Sequence, residues 1–370
     1  MLLGGLLPIP LGYLGVIMKD TTLAVALLAA FGVAARFRLA GRSVPIWAWP
    51  ALAALLAFAM LLRFNAPFAA VPLILYLLPD TWRMAPARRL ALGAVLLAAS
   101  LVLSQVASRA LFRPEASDVR LSPIVYDLGG ISRYSGRDHF PDLGIPDLAE
   151  MNRQRCYQPI WWDTYLWGEC RLVFERFREV VREGEAQPLL LWTRAVTAEP
   201  LAYLRHRAAH ANANLRFLLP YAREDVTFIE TSDNPHGISF QPNALTLAIR
   251  EAGLVQAMTP AGWPAAWLAV ALGWLILAPA LRPGPARALL LALALSALAY
   301  GSSYLVFSVA SDLRYHLWTM FAAAMTSAIG LAEAARQAGG LPRLRLAAAA
   351  SPATGVAATG LGPSSSGWNR

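Results

Sequence analysis

Long apolar runs alternate with short basic turns in two blocks of the chain, and a mixed polar stretch separates the blocks. Runs such as Ala51 to Leu62 and Leu289 to Leu298 carry no charge at all. The turns between runs hold Arg36, Arg38 and Arg42; Arg83, Arg88 and Arg89; Arg282 and Arg287; then Arg336, Arg343 and Arg345. From Arg113 to Gly262 the pattern is instead that of a folded extramembrane domain. A helix of roughly 20 apolar residues crosses a bilayer. The predicted fold is therefore mainly α: a polytopic helical membrane protein of about eight spans, with one α-rich extramembrane domain between spans five and six. Residues 1–112 would hold membrane helices 1–5, residues 113–262 the domain, and residues 263–334 membrane helices 6–8. Residues 335–370, rich in Ala, Gly, Ser and Pro toward their end, read as a disordered cytoplasmic tail.

The first expected span, Met1 to Met18, contains Pro8 and Pro10 and has neither the basic start nor the cleavage site of a signal peptide. It resembles the second half of a helix. Within the domain, Arg171 to Glu185 and Leu189 to Leu219 have helical periodicity, the second broken near Glu199-Pro200. Val226 to Ile229 reads as a short strand. Asp127-Leu128-Gly129-Gly130 and Asp233-Asn234-Pro235-His236-Gly237 read as turns.

Charge sharpens this picture. The chain is 57% hydrophobic and 15% charged with a net charge of +9, which fits a membrane protein and looks at first like a nucleic-acid footprint. The domain, however, holds 16 Lys/Arg against 19 Asp/Glu, and the flanks hold 16 against 4. A domain of negative balance argues against DNA or RNA as partner. The basic turns are cytoplasmic by the positive-inside rule, so the domain lies on the opposite face. Arg greatly outnumbers Lys, and Ala and Leu dominate, as in GC-rich bacterial genomes. The expected location is a bacterial inner membrane, multi-pass, with the domain periplasmic. The two cysteines, Cys156 and Cys170, both fall in the domain on that oxidising side and read as a disulfide, with two unrelated buried thiols as the alternative.

No Walker loop, dinucleotide fingerprint, HExxH or nucleophile elbow is present. What remains is positional. Three connections predicted on the domain side each present ionisable or amide groups: Lys19 with Asp20, Arg63 with Asn65, and Asp312 with Arg314. Together they could line one site beneath the domain, or they could be ordinary interfacial anchors. Paired arginines hold a phosphate, and a carboxylate can deprotonate a hydroxyl or hold a divalent metal ion. Tyr203, His206, Arg207 and His210 share one helix face, as a packed face or as an acceptor site. Two histidines without a third ligand do not define a metal site. Trp161, Trp162 and Trp167 form a dense aromatic cluster near the cysteines, of which Trp161 and Trp162 are aromatics of the core, of the membrane interface or of a sugar platform.

These residues also carry a resemblance. The stretches Val16 to Asp20, Leu62 to Ala66 and Ser311 to Tyr315, with Asp127 to Ser132 and Pro200 to Arg207 in the domain, resemble bacterial multispan glycosyltransferases of the GT-C membrane fold. The resemblance runs from the first residue to about Glu333. It implies transfer of a sugar from a polyprenyl-phosphate carrier to an envelope glycan or lipid acceptor. By it Asp20 would serve as catalytic base or metal ligand, and Lys19, Arg63, Asn65, Asp312 and Arg314 would bind the substrate. That class places its main catalytic carboxylate in the first outer loop, and no acidic residue precedes Asp20. Either the chain begins partway through a longer protein, or it is a relative without catalysis. The competing expectation is a non-enzymatic membrane protein whose domain binds a partner or an envelope polymer.

Overall fold

The computed structural model describes residues 7–16, 18–78, 85–113, 118–217 and 235–339. The expected strand at Val226 to Ile229, the residues Asp233 and Asn234, and residues 340–370 of the expected disordered tail lie outside them, whereas the start of that tail is helical, the last helix running on to Gln337. The described residues are mainly helical, and their β pairing is confined to an isolated bridge between Trp161 and Ala310. In chain order the helices are α1 (Pro8–Leu14), α2 (Lys19–Arg38), α3 (Trp49–Leu62), α4 (Ala66–Leu77) and α5 (Pro86–Phe112). The domain contributes α6 (Ser122–Ser135), α7 (Arg171–Arg182), α8 (Pro188–Ala198) and α9 (Pro200–Leu215). Then come α10 (Ala244–Ala257), α11 (Pro264–Leu277), α12 (Pro285–Phe307) and α13 (Leu317–Gln337).

Four helices, α2, α5, α12 and α13 counted from Leu313, are long and apolar enough to cross a membrane. They mark a membrane protein. Three further apolar helices are shorter, at Ile46–Leu62, Ala66–Leu77 and Pro264–Ala280. Proline sits in the first turn of α3, α4 and α11 and sets where each begins, since that position needs no backbone donor. Within the expected first span, the described residues form α1, a helix of seven residues that ends at Leu14 and packs against α10. The Ile9 amide donates to Gln256 Oε1 at 2.9 Å, which ties α1 to α10.

Leu23, Leu27 and Phe31 of α2 bury against Leu52 of α3, Leu73 of α4, Leu293 of α12 and Trp318 of α13. A polar thread stitches this apolar core. Trp318 Nε1 donates to Ser296 Oγ at 2.9 Å, and Ser296 Oγ donates to the Ala69 carbonyl at 2.7 Å. That carbonyl would otherwise lack a second partner where no water reaches. Helix α5 packs at the edge of this core against α3 and α4, its span-length window holding no buried residue.

The domain has its own core, in which Val125, Tyr126 and Ile131 of α6 meet Tyr165, Val173 and Phe177. Its second long helical stretch divides where the sequence breaks, α8 ending before Glu199 and α9 opening at Pro200. The expected turn at Asp127 to Gly130 is instead the middle of α6. Its glycines serve close packing. A Cβ on Gly129 would fall 2.1 Å from Tyr165 Oη, and one on Gly130 would fall 2.1 Å from His206 Nδ1. The pair Gly-Gly reads as turn chemistry when only the backbone is considered, yet here it lets α9 and the Tyr165 turn approach the helix.

Cys156 and Cys170 form a disulfide across a separation of 14 residues. It closes the loop that carries Trp161, Trp162 and Asp163. Closing a loop of about 15 residues is worth roughly 3 kcal/mol through the unfolded chain. We expect Cys156→Ser/Cys170→Ser to lower the thermal midpoint of the detergent-solubilised protein accordingly. An unchanged midpoint would mean that packing alone fixes the loop.

Candidate functional site

The three connections that the sequence places on one face meet in space. Asp20 lies in the first turn of α2, where the helix dipole favours a carboxylate, and is 4% exposed. Arg63, at the end of α3, pairs with both of its oxygens: Nε contacts Oδ1, and Nη2 donates to Oδ2 at 3.2 Å. Arg314 approaches from the far end of the chain, with Nε 3.7 Å from Asp20 Oδ2 and 2.6 Å from Asp312 Oδ2. Lys19 is within electrostatic reach of Arg63, Asp20 and Arg314. Lys19, Arg63 and Arg314 against Asp20 and Asp312 leave one positive charge in excess.

Aromatic rings hold the guanidiniums. The Arg63 guanidinium carbon lies 4.2 Å from the centre of the Tyr315 ring, and Arg63 Nη1 donates to Tyr304 Oη at 3.0 Å. Tyr304 and Tyr315 are stacked with centres 5.4 Å apart, and the hydroxyls of Tyr300 and Tyr304 are 2.8 Å apart. Asn65, fully buried, donates from Nδ2 to Ser303 Oγ at 3.0 Å. Its Oδ1 is buried without a partner. All six residues singled out for this site are thus in one neighbourhood. Tyr300, Ser303 and Tyr304 were given no role at this site, because Tyr and Ser in a hydrophobic run are indistinguishable from ordinary span residues until the arginines arrive, and Tyr315 was quoted beside Arg314 without a role of its own.

The domain sits directly on the connection that bears Asp312 and Arg314. The Trp162 amide donates to the Val309 carbonyl, and the Ser311 amide to the Ile160 carbonyl, both at 2.9 Å. Asn214 Nδ2 donates to the Ala310 carbonyl at 3.1 Å, while Asn214 Oδ1 is 2.6 Å from His316 Nε2. This clasp brings Asp163 within electrostatic reach of Arg314. Asp163 is half-buried, and its carboxylate makes no hydrogen bond or ion pair among the described residues. Burial pushes its pKa up, with the charge of Arg314 pulling the other way. Trp162 is buried with its ring edge on Phe174, whereas Trp161 is 38% and Trp167 67% exposed.

A second polar cluster lies in the domain. Asp127 receives His206 Nε2 at 2.9 Å, Trp192 Nε1 at 2.7 Å and Arg207 Nη2 at 2.9 Å. A carboxylate opposite Nε2 fixes the proton there, so His206 Nδ1 accepts from Tyr157 Oη at 2.8 Å. Burial works to raise the Asp127 pKa, but the His206 hydrogen bond and the Arg207 charge outweigh it and hold the group below the usual carboxylate range. Arg207 also donates to the Ser308 carbonyl at 2.9 Å. The one-faced set His206, Arg207 and His210 is therefore a buried internal network. No group of three His, Cys, Asp or Glu suited to a metal ion occurs among the described residues.

His210 gives this network a pH response. Its Nδ1 faces the Pro159 carbonyl at 2.8 Å and so carries the proton. Burial pushes its pKa down to about 4, against the help of that hydrogen bond. The unfolded chain binds a proton near pH 6.5, so between about 6.5 and 4 it holds more protons than the native domain. Native stability contributed by neutral His210 is then complete above about pH 6.5 and lost as pH falls toward 4. The expected result is a falling thermal midpoint across that window, flattened in His210→Gln. A midpoint insensitive to pH there would refute it. Separately, Gly130→Ala drives a methyl group into the His206 ring, and we expect a loss of about 1–3 kcal/mol, read as a lower midpoint.

No family model, curated protein or solved structure matches the chain, so what the site does follows from its own geometry.

Proposed function

We propose that the cluster around Asp20 binds the phosphate of a polyprenyl-phosphate-linked sugar, and that the protein is a GT-C-like transferase passing that sugar to an envelope glycan or lipid acceptor. In this reading the chain lies in a bacterial inner membrane with about eight membrane segments, consistent with the apolar helices. Its basic turns are cytoplasmic and its domain is periplasmic. The observation that carries the reading is the convergence of Arg63 and Arg314, from connections 251 positions apart in sequence, on one carboxylate.

Guanidinium groups preset in a dry, aromatic-lined position stabilise the charge that develops on a departing phosphate. Asp20 holds them in place. Both oxygens of Asp20 are engaged by Arg63, whereas Asp163 has its oxygens unengaged and its pKa raised by burial, so Asp163 is the carboxylate placed to take a proton. The acceptor hydroxyl oxygen forms the new bond to the sugar carbon and its proton passes to Asp163. The carbon–oxygen bond to the carrier breaks, and the electron pair leaves with the phosphate.

A second reading, a non-enzymatic membrane protein whose domain binds a partner or envelope polymer, is favoured by the same closure of Asp20. Arg314 separates the two, because its side chain is 26% exposed and can meet a ligand. In membranes carrying the full protein, Arg314→Ala should abolish transfer of radiolabelled sugar from lipid carrier. Arg314→Lys should leave it well below the parent, since an ammonium cannot grip phosphate bidentately. Undiminished transfer by Arg314→Ala would remove the phosphate role. Stable protein partners recovered from membranes without any transfer would favour the second reading.

A further inference from the structure

At the opposite end of the same helices lies a separate cavity of about 520 Å³ between α4, α5 and α12. That volume is within the roughly 300–1,000 Å³ of small-molecule sites. Its cause is visible in the sequence. Gly93 of α5 lets that helix meet α4, where an added Cβ would fall 3.2 Å from Leu75. Ala288, Ala292 and Ala299 along α12 then leave the space below them unfilled. The walls are apolar, with Val71, Leu75, Leu97, Leu291 and Leu295 among them. Leu90 is 76% and Leu295 45% exposed, so the cavity opens sideways toward the lipid.

One end is not apolar. Arg38, from the end of α2, and Arg89, from the start of α5, both line it. Arg38 is half-buried with its guanidinium 5.5 Å from the centre of the Tyr76 ring, and Arg89 is exposed. From Ala288 to Ala299 the wall of α12 runs about 16 Å along the helix axis. An occupant must therefore be long and apolar, with an anionic group at one end.

We propose that this groove binds one anionic glycerophospholipid, its acyl chain along α4, α5 and α12 and its phosphate between Arg38 and Arg89. Basic pockets between membrane helices recognise lipid phosphates in this way. The site is independent of the sugar-transfer reading. Phe64, Phe68 and Phe307 pack together with ring centres 5.9 and 6.0 Å apart at the domain-side end. Arg63 does not line the groove, so a carrier lipid with its phosphate at Arg63 is a different ligand at a different height.

The test is retention of lipid by the full-length protein, purified in mild detergent, incubated with equal phosphatidylglycerol, phosphatidylcholine and undecaprenyl phosphate, and measured by native mass spectrometry. We expect one phosphatidylglycerol per chain, held in preference to phosphatidylcholine. Arg38→Gln/Arg89→Gln should weaken that retention roughly tenfold or more, and Arg36→Gln, which removes an exposed charge that does not line the groove, should leave it unchanged. Ala94→Trp provides a second arm, because Ala94 is exposed in the groove and a ring there displaces the acyl chain without disturbing the core. Equal retention of both phospholipids, preference for undecaprenyl phosphate over phosphatidylglycerol, or retention unaffected by Ala94→Trp would overturn the proposal.

Discussion

Asp20 is a carboxylate at the top of an apolar helix, nearly without solvent, and two guanidiniums from distant parts of the chain turn toward it. Taking such charges out of water costs several kcal/mol each, and their attraction recovers this only when geometry and hydrogen bonding are good. Here both oxygens of Asp20 face Arg63, and Arg63 is further held by Tyr304 and Tyr315. A pair of this kind adds little net stability but penalises every arrangement that breaks it. The ends of α2, α3 and α12 and the connection before α13 are therefore brought to one level.

That level is also where the domain attaches. Arg207 bridges the Asp127 carboxylate of α6 and the Ser308 carbonyl at the end of α12, so one cation belongs to both halves of the protein. Trp162, Ser311 and Asn214 add backbone and amide ties to the same short connection. The segment bearing Asp312 and Arg314 is consequently not a free loop. Its position depends on the packing of α9 against α6, which in turn needs Gly129 and Gly130 to be without side chains. A substitution in the middle of the domain can thus shift Arg314 without touching it.

Much of this was legible in the sequence. Apolar runs and basic turns gave the helical membrane architecture, and charge at the ends of spans singled out five ionisable residues that the fold brings together, because an ionisable group there needs a partner. The break at Glu199-Pro200 was legible for the local reason that proline cannot continue a hydrogen-bonded helix. The glycines of α6 were not, since a Gly-Gly pair marks turns and close packing alike, and the sequence does not reveal His206 and Tyr165 across the gap. Asp163 was overlooked for a related reason. Nothing in its neighbours distinguishes it from a surface aspartate, and only the pairing of Ile160 to Trp162 with the Val309 to Ser311 connection carries it to Arg314.

The two arginines are not equivalent as probes of function. Arg63 has a side chain only 9% exposed and is the main counter-charge of Asp20. Deleting it strands a buried carboxylate, at a cost of about 3–5 kcal/mol for an uncompensated charge, so lost activity there would not separate chemistry from folding. Arg314 lies farther from Asp20, keeps Asp312 as its nearer partner and retains some solvent. Its loss would leave Asp20 paired with Arg63 and the domain clasp intact, because the clasp uses backbone groups from Ser308 to Ser311 rather than the guanidinium. Of the two arginines, Arg314 is therefore the one that a ligand can reach without unpairing Asp20.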